Sequence, residues 1–298
     1  MPSSMPRVVI VTRATDYEQL LAQHATRSQA DFFLKSRGQS LQEVESQHLK
    51  LRETVQQTIS KVPSSWRMTH ISRNDLDRFL FEPSDTIVIV GQDGLVANVA
   101  KYLDGQPVLG INPDPDRFEG ILVPLNVERL ADILEATVKR EIEMQQRTIV
   151  QAEIDDGQSI IALNELFIGH QSHQSARYRI YSNKKEERHS SSGLIVSTGT
   201  GCSGWARSIS ESIKKKVRLP KPEENKLVFF VREAFPSVAT GTSLVQGIVS
   251  KSEQLLITSE MNNGGVIFGD GIESDYIPFD WGKTVKISAS LKKLHLVR

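Results

Sequence analysis

Asp93 lies in Gly91-Gln92-Asp93-Gly94, between the β-branched run Thr86-Ile-Val-Ile-Val90 and the helix-like stretch Leu95 to Tyr102. A loop between a buried strand and a helix opens at the C-terminal edge of a parallel sheet, where such sheets bind ligands. A carboxylate there can accept a proton from a hydroxyl. Gly91 and Gly94 let backbone amides approach phosphate oxygens, and the helix start favours anions. Asp-Gly is also an ordinary turn pair, and the glycine spacing does not match the G-x-G-x-x-G dinucleotide fingerprint. A second cluster, Ser197-Thr-Gly-Thr-Gly-Cys-Ser-Gly204, again follows a strand (Leu194 to Val196) and precedes a helix (Ser203 to Lys215). Its hydroxyls and free amides suit a ligand cradle at a positive helix end. The plain alternative is a flexible serine-glycine loop, and the absence of a following Gly-Lys-Ser/Thr excludes a Walker A loop. The third candidate is Asn164-Glu165, inside the apolar run Ile160 to Ile168. A buried carboxylate without a partner costs several kcal/mol, so this pair either pairs with neighbouring groups as a structural feature or bulge, or faces a pocket.

Other chemistries find no support. The histidines His24, His48, His70, His170, His173, His189 and His295 form no H-E-x-x-H and have no cysteine partners, so no metal site is expected. No G-x-S-x-G hydrolase elbow occurs. Tyr178, Tyr181 and Phe230 fall on strands as core or sheet-face aromatics, without the basic flanks of an RNA-binding surface.

The elements that must position these residues follow from periodicity. Arg7 to Arg13 reads as a buried first strand, and the chain after it as helical. Ser40 and Glu43 have capping-box spacing, and Leu41, Val44, Leu51, Val55, Ile59 and Val62 recur on one helical face behind them. Met68 to Ile71 reads as a second strand and Asp75 to Phe81 as a short helix. Thr86 to Val90 is a strand buried on both faces, followed by the helix Leu95 to Tyr102 and the strand Pro107 to Ile111. This alternation predicts an N-terminal, Rossmann-like α/β domain with a parallel sheet over residues 1–145, carrying the Gly91–Gly94 loop. After a helical stretch from Val127 to Gln145, nine short strand-like segments follow: Ile160 to Ile168, Ala176 to Tyr181, Leu194 to Ser197, Lys226 to Val231, Leu244 to Val249, Gln254 to Ser259, Gly265 to Phe268, Tyr276 to Phe279 and Thr284 to Ser290. They predict a β-rich, mostly antiparallel domain over residues 146–298.

Composition excludes several function classes. The 36 lysines and arginines balance 36 aspartates and glutamates, giving no general attraction to a nucleic acid or an acidic membrane. At 298 residues and 39 % hydrophobic content the chain can build substantial cores. No apolar run approaches the ~20 residues of a membrane helix. Met1 to Arg7 shows no apolar leader segment, and the single cysteine, Cys202, fits a reducing, cytoplasmic setting.

Taken in order, these segments resemble the NAD kinase family, in particular its mitochondrial-type branch. Thr86 to Gly94 resembles the family's strand followed by Gly-Gly-Asp-Gly-Thr. Pro107-Val-Leu-Gly-Ile-Asn-Pro-Asp-Pro-Asp-Arg-Phe-Glu-Gly120 is similar to G-(I/V)-N-x-D-P-x-R-x-E-G, and Ala162-Leu-Asn-Glu-Leu-Phe-Ile-Gly169 to A-L-N-E-V-F-I-G. Ser191-Ser-Gly-Leu194 with Thr198-Gly-Thr-Gly-Cys-Ser-Gly-Trp205 resembles S-S-G-L followed by T-G-T-G-S-x-x-W, and Phe268-Gly-Asp-Gly-Ile272 is like a late Asp-Gly turn. The family's second glycine is Gln92 here and its threonine is Leu95. Gln92 adds a side chain to a loop meant to lie against phosphates, and Leu95 removes a hydroxyl donor.

The resemblance implies ATP-dependent phosphorylation of the adenosine-ribose 2′-hydroxyl of NAD. By that implication Asp93 orients or deprotonates the hydroxyl, and Gly91 and Gly94 approach phosphates. Asn112, Asn164 and Glu165 hold the dinucleotide, and Thr198, Thr200, Gly201, Ser203, Gly204 and Trp205 complete the pocket. Mg²⁺ bridges the donor's phosphates without a dedicated protein site, and the protein is a homodimer or higher homo-oligomer. Two further readings stay open: a catalytically weakened NAD-binding protein of the same fold, and a kinase for another hydroxyl acceptor.

Overall fold

The computed structural model describes residues 5–213, 217–251, 253 and 255–298. Lys214 and Lys215 of the expected helix, Gln254 of an expected strand and residues 1–4 of the stretch searched for a leader lie outside the described residues. The chain divides into two compact units, Met1–Gln145 with His295–Arg298, and Gln146–Leu294.

In the first unit the chain runs β1 (Arg7–Thr12), α1 (Asp16–His24), α2 (Arg27–Lys35), α3 (Leu41–Lys61), β2 (Arg67–Ser72), β3 (Asp85–Val90), α4 (Asp93–Ala100), β4 (Pro107–Ile111) and α5 (Leu130–Val138). The strands pair in parallel in the order β2-β1-β3-β4, with Val9 beside Ile87 and Ile87 beside Val108, and His295 and Leu296 add in parallel to Pro107 and Val108. Every residue of β3 is buried, as its unbroken β-branched sequence demands. Val8, Ile10, Val88, Val90, Leu109, Ile111 and Leu130 form a core with no exposed surface, each such side chain contributing roughly 1.5–3 kcal/mol. The one charge buried at the start of β3, Asp85, is paired with the Arg7 guanidinium through hydrogen bonds of 2.7 and 2.6 Å.

Three local expectations fail here for identifiable reasons. Ser40 precedes α3 without a side-chain capping bond, whereas Thr15 and Glu18 form a reciprocal capping box on α1. Asp75 to Phe81 is not a helix: Ser72 caps a single 3₁₀ turn, Arg73–Asp75, and the asparagine, aspartates and Pro83 of this stretch favour turns. The helix expected to reach Gln145 ends at Val138, because Arg140 adopts φ +59° and the Glu141 amide bonds back to the Ala136 carbonyl at 2.8 Å. That is a helix stop normally built on glycine, here carried by arginine.

The second unit is built on β5 (Met144–Ile154), β6 (Ser159–Ala162), β7 (Glu165–His170), β8 (Ala176–Ser182), β9 (Lys185–Ser191), β10 (Leu194–Ser197), β11 (Leu227–Val231), β12 (Gln246–Val249), β13 (Leu255–Ser259), β14 (Gly265–Gly269), β15 (Tyr276–Pro278) and β16 (Thr284–Val297), with α6 (Trp205–Ser212) as its helix. Among the described residues β12-β11-β10-β7-β14-β15 form an antiparallel sheet. β13 pairs antiparallel with β16 and β8, and β8 with β9. Leu166 and Ile168 of β7, Tyr178 and Ile180 of β8, Phe229 and Ile257 meet in the core of this unit. The apolar run Ile160 to Ile168 is two strands, β6 and β7, broken at Leu163-Asn164. The polar strand β9 carries no apolar signal, and its hairpin turn uses Asn183 and Lys184 at φ +51° and +61°, where Asn-Gly would have been the readable pair. Among the described residues no helix is long and apolar enough to cross a membrane.

Candidate functional site

In the first unit the strand-to-helix loop forms as its sequence predicts. Gly91 closes β3, its amide bonding to the Ile111 carbonyl at 3.1 Å, and Asp93 is the first residue of α4. The Asp93 carboxylate accepts hydrogen bonds from two consecutive backbone amides, Ile121 at 3.1 Å and Leu122 at 2.8 Å. These bonds fix its orientation, and each oxygen keeps a second acceptor position for a hydroxyl. Gly94 is exposed, with open space where a side chain would stand.

The two departures in this loop each have a defined environment. Leu95 is buried, and its Cδ2 would lie 3.2 Å from a Cβ placed on Gly91, so this side chain supports the loop from beneath. Gln92 accepts at Oε1 from the Arg13 guanidinium at 3.2 Å, which holds its amide to one side. Asn112 organises the neighbouring loop: its Nδ2 donates to the Phe118 carbonyl at 2.7 Å and its Oδ1 accepts from the Asp114 amide at 3.0 Å. Both ends of that side chain are committed to its own loop.

In the second unit Asn164, Thr198, Thr200 and Gly201 are brought together. The Thr198 hydroxyl donates to the Leu163 carbonyl at 2.6 Å and accepts from the amides of Thr200 and Gly201 at 3.1 and 3.3 Å. The Thr198 amide donates to the Asn164 carbonyl at 2.8 Å. Gly201 packs so closely that a Cβ would stand 2.3 Å from the Asn164 carbonyl oxygen. The Thr200 hydroxyl is buried and accepts from Arg147 at 3.4 Å. The threonine-glycine run is therefore a rigid knot tied by its own hydroxyls, and the exposed positions at its end are Ser203, Gly204 and Trp205.

Glu165 and Phe167 share a face of β7, since strand residues two apart point the same way. Trp205 stacks on Phe167 at 6.2 Å between ring centroids with planes 9° apart, Phe268 tilts against Phe167 at 4.9 Å, and the Arg232 guanidinium lies 4.9 Å from the Trp205 ring centre. Burial, and then the charge of Asp270, push the Glu165 carboxyl up from 4.5 to about 7. Cys202, in the same knot, is inert: burial raises its thiol to about 11.

Three contributors escape a reading by motif. Asp270 accepts from the consecutive amides of Leu163 and Asn164 at 3.0 and 2.7 Å, which breaks the apolar run and presents Asn164 and Glu165. The late Asp-Gly pair signalled a turn, with nothing to show which amides it would hold. Arg147 is buried on β5, a strand with no sequence signal. Arg13 stands just past β1 as a lone basic residue.

No family model matches the chain. Over 304 aligned residues it is 25 % identical to the rat protein named NAD kinase 2, mitochondrial, covering 85 % of this chain and 70 % of that protein. The crystal structure of yeast NADH kinase complexed with NADH superposes with a TM-score of 0.62 at 15 % identity, covering 99 % of this chain and 84 % of the yeast chain. An NAD kinase from Archaeoglobus fulgidus in complex with ATP gives a TM-score of 0.60 at 17 % identity, covering 98 % of this chain and 93 % of that one. The relatives carry the family resemblance read from the sequence, and the α/β unit followed by a β-rich unit is the fold of these enzymes.

Proposed function

We propose that this chain, a relative of the NAD kinases, transfers the γ-phosphoryl group of ATP to the adenosine-ribose 2′-hydroxyl of NAD, giving NADP and ADP. The observation that carries the proposal is the Asp93 carboxylate, set at the start of α4 by the Ile121 and Leu122 amides with acceptor positions to spare. The hydroxyl oxygen bonds to the γ-phosphorus, the bond to the β,γ-bridging oxygen breaks, and the hydroxyl proton passes to Asp93 and then to water. Such transfer asks mainly for positioning and charge neutralisation; Gly94 offers an amide where the face of the loop is open, and Gly91, whose own amide is held by the Ile111 carbonyl, lets phosphates approach by its lack of a side chain.

On the acceptor side Asn164 and Glu165 hold ribose hydroxyls, and Trp205, backed by Phe167, offers a face for a base. Thr198, Thr200 and Gly201 keep that loop in shape, Ser203 and Gly204 give it an accessible edge, and Asn112 shapes the loop beside Asp93. Among the described residues no group of three or more His, Cys, Asp or Glu side chains is placed to hold a metal ion. In this reading Mg²⁺ travels with the donor's phosphates, where it offsets their charge. The cytoplasm as location and a homodimeric or larger assembly belong to the same proposal.

The relatives favour this enzyme over a weakened dinucleotide binder. The test is NADP formation from NAD, ATP and Mg²⁺, read with an NADP-specific dehydrogenase. Turnover that Asp93→Asn abolishes is expected. Tight NAD binding without any NADP would establish the binder, and ATP consumption only with a different alcohol would establish another acceptor.

A further inference from the structure

The departure Gln92 acquires a role in the first unit. Its strand order, β2-β1-β3-β4, reverses direction between β1 and β3, and ligands of open parallel sheets lie beyond the C-terminal ends of the strands at such a reversal. A cleft sits at that place. Its lining includes Arg13, just past β1, Gly91 and Gln92, just past β3, Val44 and Leu51 of α3, and Phe118. The Arg13 guanidinium meets the Gln92 amide oxygen at 3.2 Å, which uses one of its donors and anchors a cation beside Gly91. Of the carboxylates that also line it, Asp114 is paired with Lys50 at 2.9 Å, and Asp16 lies in the first turn of α1, where the helix end offsets it.

We propose that Arg13 and Gln92 form a clamp at this cleft for the donor's polyphosphate. The identity of the donor rests on the kinase reading above. Gln92 takes the place of a family glycine, and Arg13 holds its side chain aside. The guanidinium so fixed supplies a planar donor fork suited to phosphate oxygens. The loop thereby exchanges a bare backbone approach for a side-chain cation.

The experiment is calorimetric titration of the full chain with ATP, ADP, AMP and tripolyphosphate, each with Mg²⁺ and without NAD, for wild type, Arg13→Ala, Arg13→Lys, Gln92→Leu and the Arg13→Ala/Gln92→Leu double variant. Loss of a charge-assisted contact should weaken ATP and ADP about ten- to a hundredfold in Arg13→Ala and leave AMP within about threefold. Arg13→Lys should fall between, since it keeps the charge and loses the fork. The double variant should bind no worse than Arg13→Ala, because Gln92 acts through Arg13. Unchanged ATP affinity in Arg13→Ala, equal losses for ATP and AMP, additive penalties in the double variant, or a wild type that binds no ATP would each overturn the clamp. Tripolyphosphate should lose affinity in Arg13→Ala as ATP does, and tripolyphosphate affinity unchanged there would overturn the clamp. Unfolding midpoints within a few degrees of wild type certify that each variant is folded. Because no acceptor is present, the two readings separate. Lost affinity in Arg13→Ala with no NADP from wild type keeps the clamp and removes the kinase, and the reverse pattern removes the clamp alone.

Discussion

Replacing Glu165 with glutamine tests the electrostatics of the second unit directly. The carboxyl lies at 4.5 in an open chain and at about 7 in the fold, held there by burial and then by Asp270. Between those values the folded chain keeps a proton that the unfolded chain has released. Stability is therefore fully present below pH 4.5 and declines as pH rises through 7. At 1.36 kcal/mol per pH unit, this amounts to about 2.5 kcal/mol between pH 5 and pH 8. Glu165 keeps some exposed surface, so solvent screening brings the expected figure to roughly 1–2 kcal/mol. Glutamine copies the protonated shape and cannot ionise, so Glu165→Gln should gain that amount on wild type as pH is raised. Urea unfolding followed by tryptophan emission would measure it, in a Trp66→Phe background so that the signal comes from Trp205 and Trp281 of the second unit. Groups common to both proteins cancel in the difference. Parallel stability curves from pH 5 to 8, or a gain toward low pH, would refute the reasoning.

Asp93→Asn should stop phosphoryl transfer while leaving NAD affinity within about tenfold in a binding titration. Its melting point should fall by a few degrees, because one amide oxygen must serve two backbone donors. Thr198→Val should destabilise the second unit by about 2–4 kcal/mol in denaturant, since it strands the Leu163 carbonyl and two amides. Gly201→Ala should cost more, with dinucleotide affinity lost alongside stability, because its methyl would stand 2.3 Å from the Asn164 carbonyl oxygen. Unchanged unfolding in either variant would show that the knot is looser than its geometry.

Residue type made some of this molecule legible and spacing alone did not. β3 and the Gly91–Gly94 loop could be read because an unbroken β-branched run ending in glycine admits few alternatives. β9 was hidden, since Lys185 to Arg188 are polar on a strand whose buried positions are His189 and Ser191. The end of α5 was hidden for a related reason: Arg140 takes a conformation that glycine would have announced. At the site, sequence placed Asn164 and Glu165 in one strand, and only the long-range bonds from Asp270 separate β6 from β7 there. Leu95 read as a missing donor and is buried packing, because α4 already begins at Asp93 and its turn carries this position inward.

Each unit holds a turn in place by the same device, an aspartate whose two oxygens take two consecutive backbone amides: Asp93 with Ile121 and Leu122, Asp270 with Leu163 and Asn164. In such a pair only the acceptor has a chemical identity that substitution can destroy. The donors are peptide groups, so for these bonds the side chains at 121, 122, 163 and 164 are interchangeable, with one exception. Proline has no amide hydrogen. The device thus allows distant relatives to drift in sequence around a fixed geometry, and it forbids a single residue type at four places where any other would leave the bonds intact.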